Sequence, residues 1–383
     1  MGQDSCACKL HDGILIQSAY GAEGIKVGMN TKQTYFYHDK PVFGLDIGFD
    51  SVKVMQVAVG QKKQNTVLGY GVAAFDPAAI KDGVIADIES LAKSIQAMFA
   101  NQITGDISTR RVVLAVPSTR TFTQSLSLPK MAKKDLRPAV LGEIEQYIPA
   151  QMDELYIDFD ITRETPEGTE LQVVAAPKVI VDSYLSLMQV LGLEIVAVET
   201  TISSSTRLFV QAEQSSVPTI LMDFGSVSSD ITIYDQAILT TGTVPGGGDS
   251  FTSLIADKLG VSKQEAHVIK TRYGLGVSKK QAEITDALKP MLDQLGKEVR
   301  RMIRYYEERS TDQRKISQIV TMGGGANMPG LSEYLTNSLR LAARMCDPWQ
   351  NLSFDGLQPP SSSEKSMYVT ATGLAMMQPK DAF

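Results

Sequence analysis

The stretch Asp-Ile-Gly-Phe-Asp-Ser-Val-Lys at residues 46–53 decides the fold. It joins two runs of β-forming residues, 42–47 and 52–59, the second of which nearly alternates in polarity. Two such runs around a glycine-containing turn predict a β-hairpin. Because Gly48 has no side chain, the turn can bring successive backbone N–H groups close to an anion. The stretch therefore predicts a hairpin of the phosphate-binding type.

A second copy of this pattern reads Asp-Phe-Gly-Ser-Val-Ser-Ser-Asp at residues 223–230. Strand-like runs at 219–222 and 231–234 lead into it and away from it. One Asp-x-Gly alone is equally explained as a plain hairpin turn. Two copies in register predict a duplicated, clefted nucleotide-binding protein, in which Asp46 and Asp223 face each other across the cleft.

Two facing carboxylates suit a magnesium ion that keeps most of its waters and bridges the phosphates of a nucleotide. Asp46 and Asp223 are therefore the predicted magnesium residues, and Lys53 is predicted to give the phosphates a positive charge. Two glycine runs, 246–248 and 323–325, each precede a stretch of helical spacing. Such a turn lets a base or ribose approach the backbone, although a plain loop is the commoner explanation of each run alone.

In this order the motifs resemble the actin, sugar kinase and heat-shock ATPase superfamily. Residues 41–380 most resemble the PilM family of type IV pilus assembly and, next, the FtsA cell-division proteins. The stretches that carry this likeness are 43–48, 115–118, 143–149 and 198–201. Type II secretion platform proteins have similar cytoplasmic domains, so the likeness is to a group. It implies an α/β, actin-like (ribonuclease H-like) fold of two duplicated lobes with the 1C insert of FtsA and PilM.

The same resemblance divides the chain into five parts. The first is an N-terminal extension, expected to be flexible (1–40). The first lobe consists of a core, 1A (41–118 with 197–215 and 365–383), and an inserted α+β subdomain, 1C (119–196). The second lobe consists of a core, 2A (216–256 with 314–364), and a helical insert, 2B (257–313). Within 2B, Ser262 and Glu265 predict a capping box, and Pro290 is expected to break or start a helix.

The resemblance also assigns residues to a bound ATP or ADP with Mg²⁺. The first phosphate motif takes in Asp46, Gly48, Asp50, Ser51 and Lys53, and the second takes in Asp223, Gly225, Ser226, Ser229 and Asp230. The ribose and base positions correspond to Gly247, Gly248, Lys270, Gly324, Gly325 and Asn327.

Two positions leave alternatives open. Glu199 occupies the place where heat-shock ATPases hold a carboxylate near the attacking water, so the resemblance makes it a candidate catalytic residue. A strand-end glutamate with a purely local hydrogen bond is an equal alternative. FtsA-like proteins often carry Glu-x-x-Lys for the ribose, whereas this chain has His267 three residues before Lys270. That departure puts nucleotide affinity in question, and a surface histidine without a ligand is as good an explanation.

The composition excludes several function classes. With a net charge of -6, the chain has no electrostatic footprint for nucleic acid. No run approaches the roughly 18 apolar residues of a membrane span, so we expect a cytoplasmic protein without direct membrane insertion. Three cysteines, Cys6, Cys8 and Cys346, are too few and too scattered for a disulfide framework.

The sequence contains no sugar-kinase-like Asp motif that would act as a base on a substrate hydroxyl. The resemblance therefore implies an ATP-binding scaffold of pilus assembly with slow or no hydrolysis. Its expected partner is the short cytoplasmic tail of a PilN-like, single-span inner-membrane protein, and pilus motor or platform proteins are further candidates. An FtsA-like filament scaffold is the alternative, and a small-molecule kinase is a less favoured one.

Overall fold

The computed structural model describes residues 40–60, 65–166, 168–213, 217–309 and 314–377. The predicted N-terminal extension lies outside these residues except for Lys40, and so do Cys6 and Cys8. Within the described residues, no helix has the length and apolar content that crossing a membrane requires.

The strands of the described chain are β1 (Phe43–Ile47), β2 (Ser51–Ala58), β3 (Asn65–Ala74), β4 (Ile80–Lys81), β5 (Val84–Ile85), β6 (Ile103–Gly105), β7 (Arg111–Val116), β8 (Phe122–Pro129), β9 (Leu155–Glu164), β10 (Gly168–Pro177), β11 (Glu194–Thr200), β12 (Thr219–Phe224), β13 (Ser228–Asp235), β14 (Ala237–Pro245), β15 (Gln318–Met322), β16 (Ala342–Met345) and β17 (Leu352–Ser353).

The helices of the described chain are α1 (Ile88–Asn101), α2 (Lys133–Ile144), α3 (Lys178–Leu191), α4 (Thr201–Glu213), α5 (Gly248–Leu259), α6 (Lys263–Arg272), α7 (Gln281–Arg309), α8 (Leu331–Leu339) and α9 (Val369–Ala375).

The first lobe is built on a mixed sheet in the order β11-β7-β1-β2-β3-β17, with β6 beside β3. β1 and β2 pair antiparallel with Asp46 opposite Lys53, so the first predicted hairpin is confirmed. On the other side of β1, β7 runs parallel to it. Apolar residues of β1, β7, α1 and α3 form one buried core, because each of these elements has a strongly apolar face.

The second lobe repeats this arrangement in a sheet of the order β14-β13-β12-β15-β16. β12 and β13 form the second predicted hairpin, with Asp223 opposite Asp230, and β15 runs parallel to β12. Its core is filled from α5, α7 and α8 and is separate from the core of the first lobe. The duplication that the two Asp-x-Gly motifs predict is therefore present in the sheet topology.

Two helices, α4 and α9, cross very closely between the sheets. A Cβ atom on Gly373 of α9 would lie 2.0 Å from the backbone oxygen of Ser204 on α4. A Cβ atom on Gly44 of β1 would likewise lie 2.3 Å from the backbone oxygen of Ala371. Glycine at both positions is required because any side chain would overlap backbone atoms.

A third sheet, in the order β8-β10-β9, lies within the expected 1C insert. α2 covers one face of this sheet, where Val140 and Ile144 pack against Leu171 and Val173. α3 follows β10 directly but packs in the core of the first lobe. The exact division of the chain into subdomains stays a prediction.

One local expectation was wrong. α7 runs unbroken from Gln281 to Arg309 with Pro290 inside it, and no break or start occurs there. Proline removes one helical hydrogen bond, but Leu288, Leu292 and Leu295 on either side of it are buried in the second core. The burial of these three leucines offsets the loss of that hydrogen bond. The predicted capping box at the start of α6 is confirmed, with Ser262 and Glu265 bonding each other's backbone N–H groups.

Candidate functional site

A cleft of about 1550 Å³ lies between the two lobes. Both hairpin turns face into it, together with α6 and the glycine turn after β15. Most residues that the sequence assigned to a nucleotide line this cleft: Asp46, Gly48, Asp50, Ser51, Lys53, Asp223, Gly225, Ser226, Asp230, Gly248, Lys270, Gly324, Gly325 and Asn327. Asp46 and Asn327, about 280 positions apart in the chain, are thus brought to one site.

The two hairpin turns close in the same way. The N–H of Gly48 donates to the carbonyl of Ser51 at 2.9 Å, and the N–H of Gly225 donates to the carbonyl of Ser228 at 3.0 Å. Lys53 is 8% exposed, and its Nζ would lie 3.1 Å from a Cβ atom on Gly48. A cation therefore sits directly beneath the first turn, where it is suited to an anionic ligand.

The carboxylates of the cleft lie in an environment that disfavours negative charge. Burial raises the pKa of Asp46, while the charge of Lys53 opposes the change. Burial, Asp230 and Asp46 together raise the pKa of Asp223 to about 7. Burial raises the pKa of Asp230 to about 6, although the Thr243 hydroxyl donates to its Oδ1 at 2.6 Å. A cation beside these groups would favour their charged forms.

These carboxylates suit a magnesium ion that is held partly by the protein and partly by the phosphate oxygens of a bound molecule. The described residues contain no group of three or more His, Cys, Asp or Glu side chains that could hold a metal ion. Asp46 and Asp223 can supply carboxylate oxygens, and Mg²⁺ in nucleotide sites completes its coordination with waters and phosphate oxygens.

Two of the assigned residues, Ser229 and Gly247, lie beside the cleft rather than in its lining. The Ser229 hydroxyl donates to the carbonyl of Gly246 at 3.0 Å. A Cβ atom on Gly247 would lie 2.2 Å from the carbonyl oxygen of Gly225. The Ser229 hydroxyl therefore ties the second hairpin turn to the segment before α5. Gly247 allows the two to approach closely because it has no side chain.

Lys270 reaches the cleft from α6. It is 8% exposed, and its Nζ donates to the carbonyl of Gly248 at 2.7 Å. Burial lowers the pKa of Lys270, while Asp249 and Asp50 raise it. His267 lies on the same helix and also lines the cleft. Glu265 does not replace it, because its carboxylate is bound to Ser262 in the capping box.

The glycine turn after β15 is tied to the segment that leads into α9. Asn327 Nδ2 donates to the carbonyl of Ser363 at 2.7 Å, and the Ser366 hydroxyl donates to the carbonyl of Gly323 at 2.7 Å. Gly324 is open, since a Cβ atom there would meet nothing within 4 Å. Asn327 therefore supports the shape of this turn, and its contact with Ser363, 36 residues away, was not predictable from the sequence.

Glu199 does not line the cleft. Its side chain is fully buried, and both carboxylate oxygens accept hydrogen bonds from Arg207 of α4. Arg207 also donates to the carbonyl of Gly373 at 3.0 Å. Of the two interpretations of Glu199, this geometry favours the local structural one over positioning of water.

Tyr184 of α3 was not predicted from the sequence as a site residue. This residue is 1% exposed, yet it contributes to the lining of the cleft beside Asp46. Its aromatic ring belongs to the core of the first lobe. In the sequence it is a tyrosine within a largely apolar stretch, which is ordinarily a core residue.

The family is decided by a comparison that covers almost the whole two-lobed unit. A family model described as type IV pilus assembly protein PilM matches residues 44–379. The chain belongs to the PilM family. The matched region contains nearly all of both hairpins, the residues that line the cleft, the inserted sheet and both crossing helices.

Solved structures agree on the fold. The structure titled PilM-PilN type IV pilus biogenesis complex superimposes with a TM-score of 0.76 and 23% identity, over 88% of this chain and 98% of that one. The ethanolamine utilization protein EutJ of Carboxydothermus hydrogenoformans gives a TM-score of 0.52 and 14% identity, over 87% and 88% of the two chains. The predicted α/β, actin-like fold is therefore confirmed.

Two curated relatives of the chain are FtsA cell division proteins. The cell division protein FtsA of Pseudomonas aeruginosa is 26% identical over 263 residues, which span 63% of this chain and 62% of that protein. The cell division protein FtsA of Bacillus subtilis is 23% identical over 88% of this chain and 83% of its own length. The match therefore spans less than two thirds of the Pseudomonas protein.

Proposed function

We propose that this PilM-family protein is an ATP-binding scaffold of type IV pilus assembly. In this proposal, ATP and Mg²⁺ bind between the lobes, and the protein binds the cytoplasmic tail of a PilN-like inner-membrane protein. It reaches the inner membrane through that partner. The proposed nucleotide binding rests on one observation: two matching Asp-x-Gly turns face one cleft, and Lys53 lies beneath the first of them.

The residues on each side of the cleft suit different parts of ATP. The turn N–H groups of both hairpins and Lys53 would bind phosphate oxygens. Asp46 and Asp223 would hold Mg²⁺, which supplies positive charge between the carboxylates and the phosphates when bound. The open backbone at Gly324 would accept the base or ribose, with Lys270 nearby on α6.

The proposed role does not require hydrolysis. Glu199, the residue that the family resemblance suggested for water positioning, has its carboxylate bound to Arg207. A carboxylate engaged by a buried guanidinium is poorly suited to accept a proton from water, because protonation would break the ion pair. We therefore propose a clamp that binds ATP and turns it over slowly or not at all.

For the partner tail we propose the junction between the inserted sheet and the first lobe. β9 is an edge strand of its sheet, paired only with β10 among the described strands. An extended peptide can add to such an edge through backbone hydrogen bonds. At this junction the Tyr156 hydroxyl of β9 donates to Asp182 of α3 at 2.9 Å, and Val179 of α3 is 61% exposed.

The proposed binding of the partner tail is tested with a synthetic peptide that has the sequence of the cytoplasmic tail of the PilN homologue from the same genome. Calorimetric titration of the peptide is carried out with and without ATP and Mg²⁺. We expect saturable binding that weakens in Val179→Glu, because a charge would replace an exposed apolar contact. Absence of peptide binding under both conditions would overturn the partner half of the proposal.

The chain offers a matched control on the same helix. Val190 lies at the other end of α3 and is 56% exposed, so Val190→Glu changes charge and exposure to nearly the same degree. It is expected to bind the peptide as the unaltered protein does. Equal weakening by both variants would show that the junction is not the docking surface.

A further inference from the structure

Tyr184 places a buried aromatic ring at the wall of the cleft. It is among the largest side chains that are fully buried, and its ring is part of the core of the first lobe. Ile180, Val181 and Leu187 on the same helix are buried in that core too, so the orientation of the ring is fixed by packing. At the same time Tyr184 contributes to the lining of the cleft.

The Tyr184 hydroxyl has an electrostatic neighbour but makes no hydrogen bond with the described residues. The neighbour is Asp46 of the first hairpin. A tyrosine hydroxyl is protonated at neutral pH and can donate one hydrogen bond. The hydroxyl is not among the fully buried side-chain atoms that lack a hydrogen-bond partner. It is therefore reached from the cleft, where it can donate to a ligand atom.

The groups around this hydroxyl indicate the kind of atom to which it donates. Asp46 lies directly opposite Lys53 in the hairpin register, beneath the turn that is suited to phosphate. Tyr184 therefore stands on the phosphate side of the cleft, whereas the open glycine turn at Gly324 stands on the other lobe. A tyrosine hydroxyl can donate to a phosphate oxygen without adding charge to a site that already contains Lys53.

We propose that Tyr184 recognises the terminal phosphate of a bound nucleoside triphosphate. Its hydroxyl donates a hydrogen bond to an oxygen that a triphosphate has and a diphosphate lacks, which makes Tyr184 a specificity-determining residue for ATP over ADP. The inference rests on the proposed nucleotide site and adds to it the means of distinguishing the two nucleotides.

The test measures affinities for two nucleotides in the full-length protein with Mg²⁺. AMPPNP, a non-hydrolysable triphosphate, and ADP are titrated by calorimetry into the unaltered protein, Tyr184→Phe and Tyr334→Phe. The phenylalanine at position 184 keeps the buried ring and removes only the hydroxyl. Tyr334 of α8 lies outside the cleft lining, so its variant removes a hydroxyl with no role in the proposal.

Loss of one hydrogen bond to a charged oxygen weakens binding by about 10- to 100-fold. We expect that loss for AMPPNP in Tyr184→Phe, with ADP affinity within about twofold of the unaltered protein and Tyr334→Phe unchanged for both nucleotides. An unchanged AMPPNP affinity, or an equal loss for AMPPNP and ADP, would overturn the inference and leave the proposed function standing. Failure of the unaltered protein to bind either nucleotide would overturn both.

Discussion

Arg207 and Glu199 form a buried ion pair beside the cleft, in which the guanidinium Nη1 donates to Glu199 Oε2 at 2.9 Å. The Arg207 side chain is only 9% exposed and that of Glu199 is not exposed at all. Because Arg207 also donates to the carbonyl of Gly373, the pair joins β11, α4 and α9. α4 leads from β11 of the first sheet to β12 of the second, and residues of α4 and α9 pack against the second sheet, so the pair lies where the lobes meet.

Glu199→Ala is expected to lower the free energy of unfolding by about 3–5 kcal/mol, because it leaves the Arg207 charge buried without its partner. Urea denaturation measures the loss. The matched control is Glu89→Ala, whose partner Lys93 is exposed on α1, and it is expected to cause no measurable change. An effect of Glu199→Ala as small as the control's would contradict the structural role.

Gly373→Ala is expected to destabilise the protein by about 3 kcal/mol or more, since the added Cβ would lie 2.0 Å from the Ser204 oxygen. Gly142→Ala gives the opposite expectation. A Cβ atom there meets nothing within 4 Å, and Gly142 lies in helix α2, so the change should stabilise by up to about 1 kcal/mol. Thermal unfolding of both variants checks the prediction, and equal shifts would contradict the close helix crossing.

The pKa of Asp223 gives a pH dependence. Burial and neighbouring carboxylates raise it from its ordinary 3.8 to about 7 in the folded protein. Between these values the folded state keeps a proton that the unfolded chain releases. The contribution of this protonated carboxyl to the free energy of unfolding is therefore greatest below about pH 4. It falls as the pH rises and is lost above about pH 7.

Asp223→Asn cannot lose a proton, so it should exceed the unaltered protein in stability at pH 8, with a smaller excess at pH 5. Urea titrations at both pH values, in buffers free of divalent cations, measure the two differences. A difference that does not change with pH would mean that Asp223 is not held in a charge-disfavouring environment.

The duplicated hairpins were predictable because both depend on local signals, namely β-forming runs and a glycine turn at Gly48 and Gly225. The family resemblance assigned most of the residues that line the cleft, and the topology brings the two turns together there. Features set by three-dimensional packing were not predictable. Pro290 suggests a break when only neighbouring residues are considered, yet burial of α7 keeps the helix continuous.

The same reason explains Glu199 and Tyr184. The partner of Glu199 lies eight residues away on another element, and no spacing rule indicated that Arg207 would bind it. Tyr184 has the sequence pattern of a core residue and is one, and only the fold shows that this core position borders the cleft. Contacts between side chains on different helices and strands could be identified only from the structure.

The most direct test of the account is a calorimetric titration of ATP with Mg²⁺ into the purified protein. We predict saturable binding that is lost in Lys53→Met and retained in Lys93→Met, which removes an exposed charge from α1. Asp223→Ala should weaken binding as well, because Mg²⁺ would lose a carboxylate. No binding by the unaltered protein, or equal binding by Lys53→Met and Lys93→Met, would contradict a nucleotide site in this cleft.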